Sequence, residues 1–281
     1  MKLVRYGSAG KEKPGLVNAD GKIRDLSGHV DDIAGKALDP KTLKKLGKID
    51  PKTLPAVRGN PRFGPCVAGV GKFICIGLNY SDHAAETGAT VPPEPIIFMK
   101  ATSAITGPND TLLIPKKSKK TDWEVELAVV IGKTAKYVSE KDAMDYVAGY
   151  CVAHDVSERE FQQERHGQWT KGKSADSFGP IGPWLVTKDE IADPQDLKMW
   201  LKVNGKMMQN GSTKTMVYGV KYLVAYLSQF MSLQPGDIIS TGTPPGVGLG
   251  MNPPKFLKAK DKVELGIEGL GTQMQVCVQD G

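Results

Sequence analysis

Residues 122–131 read DWEVELAVVI and are the most informative stretch of the chain for its fold. Alternate side chains of a β-strand point to the same side, so Asp122, Glu124 and Glu126 would share one face. On spacing alone, an acidic strand at a solvent-facing sheet edge fits equally well, but the apolar continuation favours a buried strand over 123–131. A row of carboxylates that leads into a buried strand is costly unless positive charge compensates for it. We therefore expect a hard divalent cation with oxygen ligands here.

A second carboxylate position lies at the end of residues 148–155, which read AGYCVAHD. This apolar run predicts another buried strand that ends at Asp155, a common place for a metal ligand. Two glutamates and one aspartate, completed by water and substrate oxygens, suit Mg²⁺ or Mn²⁺. The pattern therefore predicts a metal site formed by Glu124, Glu126 and Asp155.

A histidine–glutamate pair follows the predicted strand over 73–77. Ser81 or Asp82 would cap a short helix, in which His83 and Glu86 are spaced i, i+3 and share one face. A carboxylate beside an imidazole orients it and raises its basicity, which suits a general base that takes a proton from water. The same spacing also describes an ordinary surface pair on a helix.

Two further segments carry groups that suit an anionic ligand. Residues 241–248, TGTPPGVG, form a glycine loop whose backbone N–H groups and hydroxyls could hold a carboxylate, although most such loops are only turns. A lysine of the KGKSAD segment, residues 171–176, could neutralise substrate charge, and Arg159 lies four residues past Asp155. In isolation, a cation in either position is more often a surface residue.

The composition limits the class of protein. The chain has 281 residues, is 40% hydrophobic and carries a formal net charge of +6, so it can bury a substantial core and mildly attracts acidic small molecules. Four cysteines without a CxxC pair, no apolar leader and no apolar run of membrane-spanning length predict a cytoplasmic protein without disulfides. The lysine cluster over 116–120 lacks interleaved aromatics, so we expect a solvated loop and no nucleic-acid partner.

The distribution of short apolar runs predicts an α+β fold that is rich in strands. Residues 1–70 are expected to form a small N-terminal domain, and residues 71–281 the catalytic domain. Short strands punctuated by 32 glycines and 19 prolines, with few helices, indicate a β-rich core. The main expected strands cover residues 73–77, 96–100, 123–131, 148–155, 184–187, 200–203, 238–241, 262–267 and 273–278, and the main expected helices cover residues 82–86, 140–144, 158–165 and 220–232.

These segments, in this order, resemble the fumarylacetoacetate hydrolase family from about residue 72 to residue 278. Together they are specific, although any one alone would be weak. The segments that carry the resemblance are GLNYSDHAAE (77–86), PIIFMKATSAITGP (95–108), DWEVELAVVIG (122–132), HDVSERE (154–160), KGKSADSFGPIGPW (171–184) and STGTPPGVG (240–248). The first 70 residues also resemble the small extra domain of acylpyruvase-like bacterial members.

The resemblance implies a fold and a set of site residues. The fold would be a mixed β-roll, usually found as a homodimer, and the metal would be Mg²⁺, or in some members Mn²⁺ or Ca²⁺. The implied metal ligands are Glu124, Glu126 and Asp155, and the implied catalytic residues are His83, Glu86 and Lys173. The implied substrate contacts are Arg159, Gln162 and Thr243.

The resemblance also implies a reaction. It is hydrolysis of the C–C bond of a 2,4-dioxo acid, either a simple acylpyruvate or a 2,4-diketo-3-deoxy sugar acid, to pyruvate and a carboxylic acid. The same metal site could support oxaloacetate decarboxylation, dienedioate isomerisation or ureidoglycolate cleavage. A non-catalytic module that binds an oxo acid is the alternative from another class. The presence of both the metal ligands and the histidine–glutamate pair argues against it.

Overall fold

The computed structural model describes residues 1–87 and 90–281. In these ranges the strands form one large sheet, one five-stranded sheet and one two-stranded ribbon. The strands are β1 (Lys2–Tyr6), β2 (Lys13–Val17), β3 (Ile23–Asp25), β4 (Phe73–Gly77), β5 (Ile96–Lys100), β6 (Ile105–Thr106), β7 (Leu112–Ile114), β8 (Thr121–Asp122), β9 (Val125–Ile131), β10 (Val147–His154), β11 (Ser157–Glu158), β12 (Gly179–Thr187), β13 (Lys198–Val203), β14 (Lys206–Ser212), β15 (Ile238–Ser240), β16 (Lys262–Ile267) and β17 (Gly271–Gln279).

Helices are few and short in the described part of the chain. The α-helices are α1 (Pro40–Leu46), α2 (Ser81–Thr87), α3 (Thr170–Lys173) and α4 (Val220–Phe230). A π-helical turn covers Glu160–Glu164. Single 3₁₀ turns cover Gly35–Leu38, Pro51–Thr53, Thr102–Ala104, Ala143–Tyr146, Lys188–Glu190, Thr213–Thr215 and Gly248–Gly250.

The large sheet places β9 and β10 at its centre, in the order β3-β2-β1-β12-β10-β9-β15-β4-β5, with β6 beside β12. Strands β9 and β10 are antiparallel and every residue in them is buried, which explains why their sequences are almost continuously apolar. Strand β15 runs parallel to β4 and antiparallel to β9, so the sheet is mixed. The N-terminal strands join the same sheet because β1 pairs with β12.

The second sheet has the order β14-β13-β16-β17-β7 and packs against one face of the large sheet. The core between them contains Leu127 and Val129 from β9 together with Leu201 from β13 and Leu265 from β16. The opposite face of β9 contributes Ala128 and Val130 to a separate core, which the N-terminal segment covers with residues such as Leu38. Burial on both faces fixes the register of β9, because a slip by one residue would exchange its two faces.

The β-rich α+β fold expected from the sequence is confirmed, and most expected strands are observed within two residues of their ends. Three local predictions were wrong. The strand expected from Trp123 begins at Val125, and the expected helix over 140–144 is a 3₁₀ turn over Ala143–Tyr146. The expected helix over 158–165 begins as strand β11 and continues as the π-helical turn. Strand β14 was not predicted, because its polar sequence KMMQNGS lacks an apolar alternation.

The cysteines agree with the expectation from composition, since all four are free and buried. Within residues 1–87 and 90–281, no helix combines the length and apolar character that crossing a membrane requires.

Candidate active site

Three buried carboxylates meet where β9 and β10 run side by side. Glu126 lies in β9, Glu124 directly precedes that strand, and Asp155 directly follows β10. The antiparallel register pairs Ala153 with Glu126, and the backbone N–H of Asp155 donates to the carbonyl oxygen of Glu124 at 3.0 Å. One carboxylate oxygen from each of the three acids lies within 4.8 Å of the others. The strand pairing therefore brings together the three ligands expected from the sequence.

Buried cations neutralise part of this cluster. Nζ of Lys173 donates to Glu124 at 2.7 Å and to Asp155 at 2.9 Å. The guanidinium of Arg159 donates to Glu124 at 2.7 Å. Burial alone would raise the pKa of Glu124, but the charges of Lys173 and Arg159 outweigh it and hold that pKa well below its usual value. For Lys173, burial would lower the pKa, but Asp155 and Glu124 raise it.

Lys100, at the end of β5, is a third buried cation that the sequence analysis missed. Its Nζ donates to the carbonyl oxygens of Val156 at 2.9 Å and Lys173 at 2.7 Å. The same atom lies 2.5 Å from Oδ1 of Asp155, yet that oxygen accepts no hydrogen bond from the described residues. The IIFMK segment alone does not distinguish this buried lysine from a solvent-exposed lysine at a strand end. Its role depends on contacts with residues that are distant in sequence.

Glu126 differs from the other two carboxylates because no cation contacts it directly in the described chain. Its Oε2 accepts hydrogen bonds from Oγ of Ser240 at 2.6 Å and from the backbone N–H of Gly242 at 3.0 Å. Burial, reinforced by the negative charges of Asp155 and Glu124, raises the pKa of Glu126 to about 8. This carboxylate therefore lacks the positive charge that would favour its ionised form.

Asp122 has a different role from the one its spacing suggested. The strand is interrupted after Asp122, and its fully buried carboxylate accepts from Nε of Arg159 at 2.8 Å. It also accepts from the backbone N–H groups of Gly248 at 2.7 Å and Leu249 at 3.0 Å. Asp122 thus connects Arg159, which also binds Glu124, to the end of the glycine loop.

The histidine–glutamate pair forms in α2 as expected. Nδ1 of His83 lies 3.1 Å from Oε2 of Glu86. The Glu86 carboxylate also accepts from the backbone N–H of Gly246, at 3.0 and 3.1 Å to its two oxygens. The glycine loop therefore fixes Glu86, and Glu86 in turn orients the His83 ring. Because the carboxylate accepts from Nδ1–H, the basic lone pair of a neutral His83 is on Nε2.

Thr243 belongs to the same loop, but its hydroxyl group is already hydrogen-bonded. It donates to the carbonyl oxygen of Val125 at 2.9 Å and accepts from Nε2 of Gln209 at 2.8 Å. Gln209 is fully buried in β14, and its Oε1 accepts from the backbone N–H of Val125 at 2.9 Å. Gln209 thereby joins the strand segment between Glu124 and Glu126 to the glycine loop. The sequence analysis missed it because β14 was not predicted.

One cavity of about 510 Å³ brings the predicted groups together. Of the expected site residues, all except Asp155 line it. The lining residues expected from the sequence are His83, Glu86, Glu124, Glu126, Arg159, Gln162, Lys173 and Thr243. Asp155 lies behind Lys173, to which it is bonded. The candidate base His83 and the carboxylates Glu124 and Glu126 therefore face the same cavity.

The carboxylate cluster fits a divalent cation on the grounds of charge and donor type. Among the described residues, five carboxylates belong to the site or adjoin it, against three fixed cations, so full ionisation would leave two negative charges uncompensated. A hard divalent cation would balance them and would favour ionisation of Glu126. Oδ1 of Asp155, which accepts no hydrogen bond from the described residues, would serve as a ligand atom only if Lys100, whose Nζ lies 2.5 Å away, were displaced. Such an ion would compete with Lys173 for the oxygens that it now contacts.

Comparison with known proteins agrees with this arrangement. The family model described as fumarylacetoacetate (FAA) hydrolase C-terminal matches residues 72–278. A protein of Burkholderia ambifaria named "Putative hydrolase" is 65% identical over 276 residues, which cover 98% of each chain.

Two solved structures extend the comparison. The fumarylacetoacetate hydrolase from psychrophilic Exiguobacterium antarcticum is 33% identical, with a TM-score of 0.88 and full coverage of both chains. The maleylpyruvate hydrolase from Sphingobium sp. SYK-6, solved in complex with manganese(II) ion and pyruvate, is 28% identical, with a TM-score of 0.83 and full coverage of both chains.

Proposed function

Because the chain belongs to the fumarylacetoacetate hydrolase family, we propose that it is a divalent-metal-dependent hydrolase of 2,4-dioxo acids. It would cleave an acylpyruvate or a 2,4-diketo-3-deoxy sugar acid between C3 and C4, giving pyruvate and a carboxylic acid. The observation that carries the proposal is that the His83–Glu86 pair lines the same cavity as Glu124 and Glu126, two members of the carboxylate cluster. The pyruvate and manganese bound to the Sphingobium relative support it.

The histidine–glutamate pair activates the attacking water in this reaction. His83, oriented by Glu86, takes a proton from water on Nε2, and the resulting hydroxide adds to the C4 carbonyl. The C3–C4 bond then breaks, its electron pair remains on the pyruvate fragment as an enolate, and protonation at C3 completes pyruvate. The hydroxyl oxygen stays with the carboxylic acid. One water is consumed, and no oxidant is needed.

The buried charges stabilise the negative charge that develops on the pyruvate fragment. A divalent cation held by Glu124, Glu126 and Asp155 would supply Lewis acidity toward the oxygens of the 2-oxo acid. Lys173 contributes a fixed positive charge beside these carboxylates, and Lys100 holds Lys173 through its carbonyl oxygen. The protein maintains this arrangement before substrate binds, so little reorganisation is required during the reaction.

An isotope experiment tests the proposal directly. The Mg²⁺-loaded protein is given acetylpyruvate in H₂¹⁸O, and the products are analysed by mass spectrometry. One ¹⁸O atom in acetate, with equimolar pyruvate, is the expected result. A dienedioate and oxaloacetate are offered in separate reactions: isomerised dienedioate without label, and no turnover of acetylpyruvate, would indicate an isomerase, and pyruvate from oxaloacetate alone would indicate a decarboxylase. Binding of dioxo acids without turnover would indicate a binding module.

A further inference from the structure

The cavity that contains Glu124 and Glu126 also has apolar residues in its lining. One wall is formed by Phe98 and Trp169, whose rings meet edge to face with centroids 5.2 Å apart. The ammonium of Lys173 lies 5.0 Å from the centre of the Phe98 ring, so this wall begins at the charged cluster. Val247 and Leu249 contribute further apolar surface to the cavity. The cavity therefore offers apolar surface beside the charged cluster.

The fixed cations that line this cavity are already paired. Arg159 donates to Asp122 through Nε, to Gln162 through one terminal nitrogen and to Glu124 through the other. Lys173 is bonded to Glu124 and Asp155. No other lysine or arginine belongs to the described lining, and the two residues outside the described ranges, 88 and 89, are glycine and alanine. The described lining thus has no unpaired lysine or arginine that could pair with a second carboxylate of the substrate.

The polar groups that remain available there are neutral amides. Gln162 is buried, and its Oε1 accepts from Arg159 at 2.9 Å. Because a guanidinium can only donate, this bond fixes the orientation of the Gln162 amide and leaves its NH₂ group as the donor toward the cavity. Gln163 adds a second neutral amide at the exposed rim. Neutral donors of this kind suit a hydroxyl or carbonyl oxygen.

We propose that this enzyme acts on 2,4-dioxo acids whose acyl group beyond C4 is uncharged, and that it discriminates against substrates with a second carboxylate at that end. The inference rests on the proposed hydrolysis and narrows its substrate class. A monocarboxylic substrate would place its single charge at the cation that the carboxylate cluster would hold, and its neutral chain against the apolar lining. A dicarboxylic substrate would bury its second charge without a partner, which is strongly unfavourable.

A matched pair of substrates isolates the effect of charge. The compounds are 2,4-dioxoheptanedioate and its C7 monoamide, which are almost identical in shape and differ in one negative charge. We expect kcat/KM for pyruvate release to be roughly 10²-fold higher for the amide. Equal values, or a preference for the diacid, would overturn the inference while leaving the hydrolase intact. Absence of pyruvate from both compounds and from acetylpyruvate would instead refute the proposed function.

Binding provides a second measurement that does not depend on turnover. The uncleavable analogues 2-oxoheptanedioate and its C7 monoamide are titrated while tryptophan fluorescence is followed, and Trp169→Phe identifies the contribution of the cavity wall. The amide should bind at least about tenfold more tightly. Equal affinity of the two analogues would count against the inference, whether or not the protein turns over a dioxo acid.

A charge introduced at the rim should alter the preference. Gln163 is exposed, so replacing it should not disturb the core. In Gln163→Lys, the ratio of kcat/KM for diacid to that for amide is expected to rise about tenfold, because the new ammonium can pair with the second carboxylate. Gln163→Met is the matched control, with similar length and no charge, and it should raise the ratio far less than Gln163→Lys does. A similar ratio in both variants would contradict the inference.

Discussion

Replacing Asp122 by asparagine should destabilise the protein far more than an ordinary loss of one negative charge. Oδ1 of Asp122 accepts from the N–H groups of Trp123 and Gly248, and Oδ2 accepts from Arg159 and Leu249. In either orientation, the NH₂ group of asparagine would face two donors. Two hydrogen bonds would be lost, and a fully buried arginine would lose one of its two carboxylate partners. We expect a loss of about 3–5 kcal/mol in the free energy of unfolding.

Urea denaturation followed by circular dichroism measures this loss. Asp145→Asn is the matched control, because Asp145 is exposed and the same substitution there should change the free energy of unfolding by less than about 0.5 kcal/mol. Below its unfolding midpoint, Asp122→Asn should also have lower activity, since Arg159 is less firmly held. A destabilisation no greater than that of Asp145→Asn would refute the inferred role of Asp122 in holding Arg159 and the glycine loop.

Three further predictions follow from the site. His83→Ala should lower kcat by about 10²–10⁴-fold, and Glu86→Gln should lower kcat by a smaller factor. Pyruvate release at saturating substrate measures kcat. An unchanged kcat in His83→Ala would exclude His83 as the base. Because burial raises the pKa of Glu126 to about 8, the metal-free protein should lose stability as pH rises from about 4.5 to 8. For the same reason, Mg²⁺ binding at pH 7 should release up to one proton, which calorimetry in two buffers measures. Mg²⁺ binding without proton release would contradict this prediction. Gly248→Ala should destabilise the fold by about 1–3 kcal/mol, because its Cβ would lie 2.0 Å from a backbone carbonyl oxygen. Gly28→Ala is the control and should leave stability unchanged, because no atom lies within 4 Å of its Cβ position. Equal thermal midpoints of the two variants would show that the loop can move to accommodate the added methyl group.

The positions of the metal-site carboxylates could be predicted because they depend on local strand geometry. Glu124 and Glu126 are two residues apart beside a buried strand, and Asp155 ends the neighbouring apolar strand. The His83–Glu86 pair was likewise accessible from helical spacing. Alternation and strand ends are properties of neighbouring residues, so a single sequence reveals them.

Residues that act through distant contacts could not be predicted in the same way. Gln209 lies 84 positions from Val125, and Lys100 lies 56 positions from Val156, so only the packing of the two sheets and the path of β5 bring these groups together. Asp122 has the same alternate spacing as Glu124 and Glu126, but its contacts with Arg159, Gly248 and Leu249 join segments that are distant in sequence. The division of the chain at residue 70, the cytoplasmic location and the homodimer remain predictions.

Glu126→Gln provides the most direct test of metal-dependent hydrolysis at the carboxylate cluster. Both the unmodified protein and the variant are stripped with chelator, refilled with Mg²⁺ or Mn²⁺, and assayed for pyruvate release from acetylpyruvate, while the thermal midpoint of each metal-free form is recorded. We predict that the unmodified protein loses activity with the metal and regains it on refilling. Glu126→Gln should stay inactive although its midpoint is equal or higher, because the neutral amide can still accept from Ser240 and Gly242 and cannot acquire the buried charge that the raised pKa of Glu126 disfavours. Chelator-resistant activity, or full activity in Glu126→Gln, would contradict the proposed site.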